Sequence, residues 1–174
     1  RTHNHSEVEE LASNSSVPII NGLTEKYHPC QLLADMQTYY EERGSIEGKT
    51  VAWIGDGCNM CNSYINAAKI LNFKLKIATP SGFEPDNKTL MLAKDNVELC
   101  DLPGQAVEDS DLVTTDVWTS MGDESESEKR KQLFKGYQIN QNLFDKAKAD
   151  AIFLHCLPAH RGEEVDADVI DGPR

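Results

Sequence analysis

The stretch KTVAWIGDGCNMCNSYINAAKILNFKLKIATPSG, residues 49–82, decides the fold. Thr50 to Ile54 is a short apolar run rich in strand formers, and Gly55-Asp56-Gly57 turns the chain. A helix then runs through about Leu71, with apolar residues that include Ile65, Ala68 and Leu71. Lys74 to Ala78 is a second strand, closed by Pro80-Ser81-Gly82. A strand, a crossover helix and another buried strand make a βαβ unit, which demands a parallel sheet.

The pattern continues outward. A helix is predicted from about Pro85 to Asp95, then a brief strand at Val97 to Leu99. Further strands are predicted at Leu112 to Val117 and Ala151 to Leu154, and helices around Lys129 to Phe134 and Asn140 to Ala149. The fold class is therefore α/β, a doubly wound parallel sheet of Rossmann-like type with helices on both faces. Upstream, Pro29 opens an amphipathic helix in which Leu32, Leu33, Met36 and Tyr40 recur at helical spacing and which Gly44 ends. Further upstream, Ser6 is read as the cap of a short helix, Glu7 to Ser13, and Val17 to Ile20 as a short buried strand without a local partner.

Composition narrows the partners. With 29 acidic against 17 basic residues the net charge is −12, so the surface as a whole repels polyanions, and nucleic acid is not an expected ligand. No apolar run reaches the roughly 18 residues that would cross a bilayer, so no membrane partner is expected. Cys30, Cys58, Cys61, Cys100 and Cys156 are odd in number and set in apolar contexts, which reads as reduced thiols. Cys58 and Cys61 form a Cys-x-x-Cys. An ordinary helix start explains its position, and no second Cys or His pair completes a zinc site. The charged run from Asp123 to Lys131 reads as a solvated surface loop leading into a helix. The chain starts at Arg1 rather than Met and stops at Gly172-Pro173-Arg174 with no closing helix, so both ends read as cut.

Ligands of a parallel α/β sheet bind beyond the carboxyl ends of the strands. Three exits there are unusually polar: Asp56 to Asn59, Asp116 to Met121, and His155 to Pro158. Asp116 can hold an ammonium, while Asn59 and helix-start N–H groups can meet a carboxylate, so a small zwitterion suits the crevice. A dinucleotide fits less well, because Gly55-Asp56-Gly57 lacks the third glycine of the phosphate turn. Each exit also has a plain reading: Asp56 shapes a turn, Asp116 caps a helix, and Cys156 and Met121 pack. His28 and Gln31 share one face at a helix start, either as site residues or as a cap with its capping-box partner.

Four strings, in order, carry a resemblance. They are His28-Pro29-Cys30-Gln31, then Gly55-Asp56-Gly57 with Asn59-Met60 and Ser63, then Asp116 to Gly122 (DVWTSMG), then His155 to Gly162 (HCLPAHRG). Together they resemble the ornithine carbamoyltransferases, and the second pair distinguishes these from the aspartate enzymes. The resemblance implies carbamoyl transfer from carbamoyl phosphate to the side-chain amine of L-ornithine, giving citrulline and phosphate, with no cofactor and no metal. It implies that His28, Pro29, Cys30, Gln31, Cys156 and Leu157 contact carbamoyl phosphate, and that Asn59, Asp116, Ser120 and Met121 bind ornithine. Catalytic roles would fall to Asp116, Cys156 and His28. It also implies a homotrimer, a cytoplasmic protein (mitochondrial matrix in an animal), and a role in arginine metabolism.

The family's phosphate loop, Ser-Thr-Arg-Thr, has no counterpart among residues 1–174, whose arginines are Arg1, Arg43, Arg130, Arg161 and Arg174. The expected organisation is therefore a remnant of a preceding carbamoyl-phosphate-binding α/β domain at 1–27, an interdomain helix at 28–44, and an ornithine-binding domain at 45–174, incomplete at its end. On that reading the fragment alone is inactive. The competing readings are a non-catalytic amino-acid-binding module and a carbamoyltransferase for another amine, such as putrescine or an acylornithine.

Overall fold

A computed structural model describes residues 1–119 and 127–174. Its elements run α1 (His5–Asn14), α2 (Pro29–Arg43), β1 (Thr50–Ile54), α3 (Asn59–Leu71), β2 (Lys74–Ala78), α4 (Asn87–Leu92) and β3 (Val97–Leu99). They continue α5 (Pro103–Val107), β4 (Leu112–Thr115), α6 (Ser127–Phe134), a 3₁₀ turn (Lys135–Tyr137), α7 (Gln141–Phe144), β5 (Ile152–His155) and α8 (Ala167–Ile170). The five strands form one sheet in the order β3-β2-β1-β4-β5, and every pairing is parallel.

Alternation along β1 shows why both faces are covered. Val51 and Trp53 enter one core with Leu32, Met36, Tyr39, Tyr64, Ile65 and Phe73. Ala52 and Ile54 enter a second with Ala106, Val107, Phe144, Phe153, Val165 and Val169. Successive strand side chains point to opposite faces, so one fully buried strand feeds both layers. Helices α2 and α3 lie on the first face, and α5, α7 and α8 on the second. Strand order reverses direction between β1 and β4, so the crevice of this doubly wound sheet opens at the carboxyl ends of those two strands.

Several expectations are corrected. Val17 to Ile20 forms no strand: Val17 is 65% and Ile20 82% exposed, and no backbone ladder pairs them. α1 is capped by Asn4, whose side chain accepts from the Ser6 N–H, and it buries none of its own residues. β4 ends at Thr115 rather than Val117. The helices expected over 85–95 and 140–149 shrink to six and four residues. α5 and α8, at five and four residues, were not anticipated, because one turn is too short to display a helical period. In α2 the buried stripe is Leu32, Asp35, Met36 and Tyr39, while Leu33 and Tyr40 face outward.

Candidate functional site

The exit of β1 is built tightly. Gly55 has φ +132, and the Trp53 indole N–H donates to the Asp56 carbonyl at 2.9 Å. Gly57 N–H donates to the Phe83 carbonyl at 2.8 Å. A Cβ on Gly57 would stand 2.3 Å from Pro85 N and 2.6 Å from Phe83 O, so the 83–85 segment approaches as only glycine allows. At the end of β4, the Thr115 hydroxyl donates to the Ile54 carbonyl at 2.5 Å, which locks the two exits side by side.

Asp116 lies at this junction. One carboxylate oxygen accepts the Val117 N–H at 2.7 Å, and the other faces the Cys58 thiol at 3.5 Å. The Cys156 thiol, from the exit of β5, lies near enough to Asp116 to feel its charge. Burial, with the Asp116 charge beside it, pushes the Cys156 thiol far above its ordinary value, and Cys58 likewise. Both stay S–H. Cys61, buried in the first core, is also pushed up by burial, and all five cysteines are free. Protonated thiols are the opposite of what redox or zinc-binding Cys-x-x-Cys chemistry needs.

His28 precedes α2 without capping it by its side chain. Its backbone N–H donates to the Ser63 hydroxyl at 2.8 Å, and that hydroxyl donates to the Asn59 carbonyl, also at 2.8 Å. The buried ring Nδ1 has no hydrogen-bond partner among the described residues. Burial, then the positive charge of Arg1, lowers the His28 pKa against the opposing pull of Asp116. The ring is thus held neutral. Gln31 makes no capping box either. Its amide N–H donates to Asp35 at 2.9 Å. Pro29 is the first residue of α2, and Cys30 is exposed, with its thiol toward the Asn21 carbonyl at 3.5 Å. The Asn59 side-chain amide donates to the Thr24 carbonyl at 2.8 Å, tying the residue-1–27 segment to the start of α3.

The third exit is set by His155. Its Nδ1 accepts the Leu157 N–H at 2.9 Å, so the proton of the neutral ring is on Nε2. Nε2 faces the fully buried Glu164 at 3.2 Å, which also accepts the His160 backbone N–H at 2.5 Å. Leu157 has φ +52 and is exposed. His160, Glu163 and Glu164 lie close enough to hold a cation, but Lys131 already pairs with Glu163 at 2.8 Å.

The exits of β1, β4 and β5 thus bring Asp116, Cys156 and Cys58 together, with His28 electrostatically coupled to Asp116. Ser120 and Met121 lie outside the described residues. Four contributors escaped the sequence reading. Cys58 was read only as part of a Cys-x-x-Cys, Asp35 is an acid on the buried stripe of α2, and Glu164 is the second of an acidic pair. Arg130 was taken as one charge of a solvated run. It is 7% exposed, donates to the Trp118 carbonyl and to Asp56, and stacks over Phe83 and Phe134 at 4.7 and 5.3 Å. A groove of about 320 Å³ between α2 and α3 is lined mainly by apolar residues that include Leu32, Met36 and Ile70, and reaches Pro29 and Ser63 at one end.

The chain is similar to known proteins over its whole length. A family model described as the Asp/Orn-binding domain of aspartate/ornithine carbamoyltransferase matches residues 47–174. One for the carbamoyl-P binding domain matches residues 1–41. The ornithine carbamoyltransferase of Nitrosococcus oceani is 59% identical over 174 residues, all of this chain and 57% of that protein. That of Methylococcus capsulatus is 58% identical over all of this chain and 58% of its own length. Among solved structures, ornithine carbamoyltransferase from Pyrococcus furiosus superposes with a TM-score of 0.94 at 47% identity, over 99% of this chain and 57% of that one. The Burkholderia thailandensis enzyme gives 0.90 at 48%, over 99% and 56%. The chain spans somewhat over half the length of the relatives it matches.

Proposed function

Because the chain belongs to the aspartate/ornithine carbamoyltransferase family, we propose that it forms the acceptor side of an ornithine carbamoyltransferase. In the whole protein, the side-chain amine of L-ornithine attacks the carbamoyl carbon of carbamoyl phosphate. The new C–N bond replaces the C–O bond to phosphate, the amine loses a proton, and citrulline and phosphate leave. The observation that carries this reading is Asp116, flanked by two protonated thiols where the exits of β1, β4 and β5 meet.

The chemistry explains the arrangement. A lysine-like amine has an ordinary pKa of about 10.4, so ornithine arrives protonated and cannot attack. A closed, dry crevice beside Cys156 disfavours the ammonium, while Asp116 can hold the other amine. Charge then grows on the carbamoyl oxygen, which a neutral His28 can stabilise by donating a hydrogen bond. Gln31, Pro29, Cys30, Cys156 and Leu157 complete the carbamoyl phosphate contacts in this proposal, and Asn59, Ser120 and Met121 those of ornithine. Cys156 acts as a contact and proton-handling residue, since a thiol held as S–H is a poor nucleophile.

The proposed organisation keeps 1–27 as the end of a carbamoyl-phosphate-binding domain, 28–44 as the joining helix and 45–174 as the ornithine-binding domain. A homotrimer and a cytoplasmic or matrix location belong to the same proposal. The test is citrulline formation by the full-length protein that contains this chain, with ornithine and putrescine compared as acceptors. Ornithine is expected to be strongly preferred. Equal or better use of putrescine, or binding of ornithine without turnover, would transfer support to the alternative readings.

A further inference from the structure

Asp35 is a charged residue on the buried stripe of α2, only 4% exposed, and the proposed reaction gives it no task. One carboxylate oxygen accepts the Gln31 side-chain N–H at 2.9 Å. The other accepts the Tyr64 hydroxyl of α3 at 2.8 Å. A carboxylate can only accept. Gln31 must therefore give Asp35 its NH₂ and keep its carbonyl oxygen for whatever lies in front, and that oxygen has no partner among the described residues. An unrestrained glutamine amide can present either end.

We propose that Asp35 is a positioning residue that fixes the polarity of the Gln31 amide, so that the site presents an acceptor to the NH₂ of a carbamoyl group and thereby selects carbamoyl phosphate over an acyl phosphate of the same shape. The inference rests on the reading of Gln31 as a carbamoyl contact. Acetyl phosphate is the natural discriminator, because its methyl group occupies the place of the NH₂ and offers no donor. A site whose buried acceptor is left unmatched rejects such an analogue far more strongly than an apolar pocket would. Burial raises the Asp35 pKa, and the bonds from Gln31 and Tyr64 oppose that shift.

Asp35→Asn tests the polarity. A phenol hydroxyl is a better donor than acceptor, so Tyr64 keeps its proton for residue 35, which turns the Asn carbonyl toward Tyr64 and the Asn NH₂ toward Gln31. The Gln31 amide then reverses and offers N–H to the carbamoyl NH₂. In the full-length protein, KM for carbamoyl phosphate should rise about 10- to 100-fold, while inhibition by acetyl phosphate stays within about twofold, because the methyl group never used the acceptor. Asp35→Asn combined with Gln31→Glu restores an outward acceptor and should recover most of the carbamoyl phosphate affinity. A purely structural role would weaken both phosphates alike and show no rescue, and either result overturns the proposal. In this chain alone, Asp35→Asn should speed solvent exchange of the Gln31 side-chain NH₂ protons in ¹⁵N-resolved NMR; unchanged exchange in a folded variant overturns it even if no citrulline is formed. Absence of citrulline from the parent protein, with the exchange effect present, counts against the proposed reaction and not against the Asp35–Gln31 polarity.

Discussion

Arg130 joins two strand exits that the sequence keeps far apart. Its guanidinium bonds Asp56 after β1 and the Trp118 carbonyl after β4, while its plane covers Phe83 and Phe134. Arg130→Met keeps most of the packing volume and removes the charge. Breaking a buried pair by removing one partner costs about 3–5 kcal/mol. The Asp56 side chain keeps 18% of its surface in water, which relieves part of that penalty. The lower end of the range, about 3 kcal/mol, is therefore expected, including the Trp118 carbonyl left without its donor. Arg130→Ala removes the buried stem as well and should cost about 1–2 kcal/mol more.

Urea unfolding of the 174-residue chain, followed by Trp53 and Trp118 fluorescence, measures both variants. Trp118 lies 6.0 Å from Phe134, so its emission should also change in the folded state. Arg130→Met combined with Asp56→Asn should be less destabilising than the sum of the two single changes, because both remove the same ion pair. An Arg130→Met chain within about 0.5 kcal/mol of the parent would show that the guanidinium is bonded no better than a solvated one, and the clamp would have to be abandoned.

Gly57→Ala should destabilise the chain by about 1–3 kcal/mol through forced displacement of the 83–85 backbone; an unchanged urea midpoint contradicts the close approach. Cys30, which is exposed, should react first with a thiol reagent at neutral pH, and Cys58, Cys61 and Cys156 only as the chain unfolds. Rapid labelling of Cys156 in the folded state would refute its raised pKa. His28 has a lowered folded pKa, so the unfolded state takes up its proton first as the pH falls, and the contribution of neutral His28 to stability is lost below its ordinary value of about 6.5. His28→Gln should lose less stability than the parent between pH 7 and pH 5, and His28→Ala in the full-length protein should lower turnover about 100- to 1,000-fold.

What could be read in advance follows from what makes an element self-evident. β1 is legible because a strand buried on both faces is nearly all apolar, and β2 because Leu75 and Ile77 alternate with Lys74 and Lys76; each is closed by a glycine or proline turn. Val17 and Ile20 have the same residue types, but a strand exists only with a neighbour, and nothing in the local sequence reveals that none is near. α2 shows a subtler failure. Its true stripe, Leu32, Asp35, Met36 and Tyr39, follows i, i+3, i+4, i+7 once Asp35 is admitted, whereas an apolar count skips it and takes Leu33 and Tyr40 instead. The same blindness hid Arg130 in a charge run. In both cases the misplaced charge marked a buried polar contact, so an acid or base falling on a helical stripe is the signal to weigh.

The thiols bear on how the amine is made ready to attack. Asp116 receives the Val117 N–H and the Cys58 thiol, with the charge of its carboxylate felt by Cys156. Those donors occupy its two carboxylate oxygens, an arrangement suited to holding a charged group rather than taking a proton from one. Cys156, kept as S–H by burial and by Asp116, is no better as a base. In the proposed reaction, then, neither residue strips the reacting ammonium. The neutral amine must instead be selected by desolvation, with its proton lost to solvent before the crevice closes. The acceptor's affinity should accordingly follow the fraction of ornithine with a neutral side-chain amine, so KM for total ornithine should fall as the pH rises toward the amine's own pKa. A KM independent of pH from 7 to 9 would require a base within the site and would return Asp116 or Cys156 to that role.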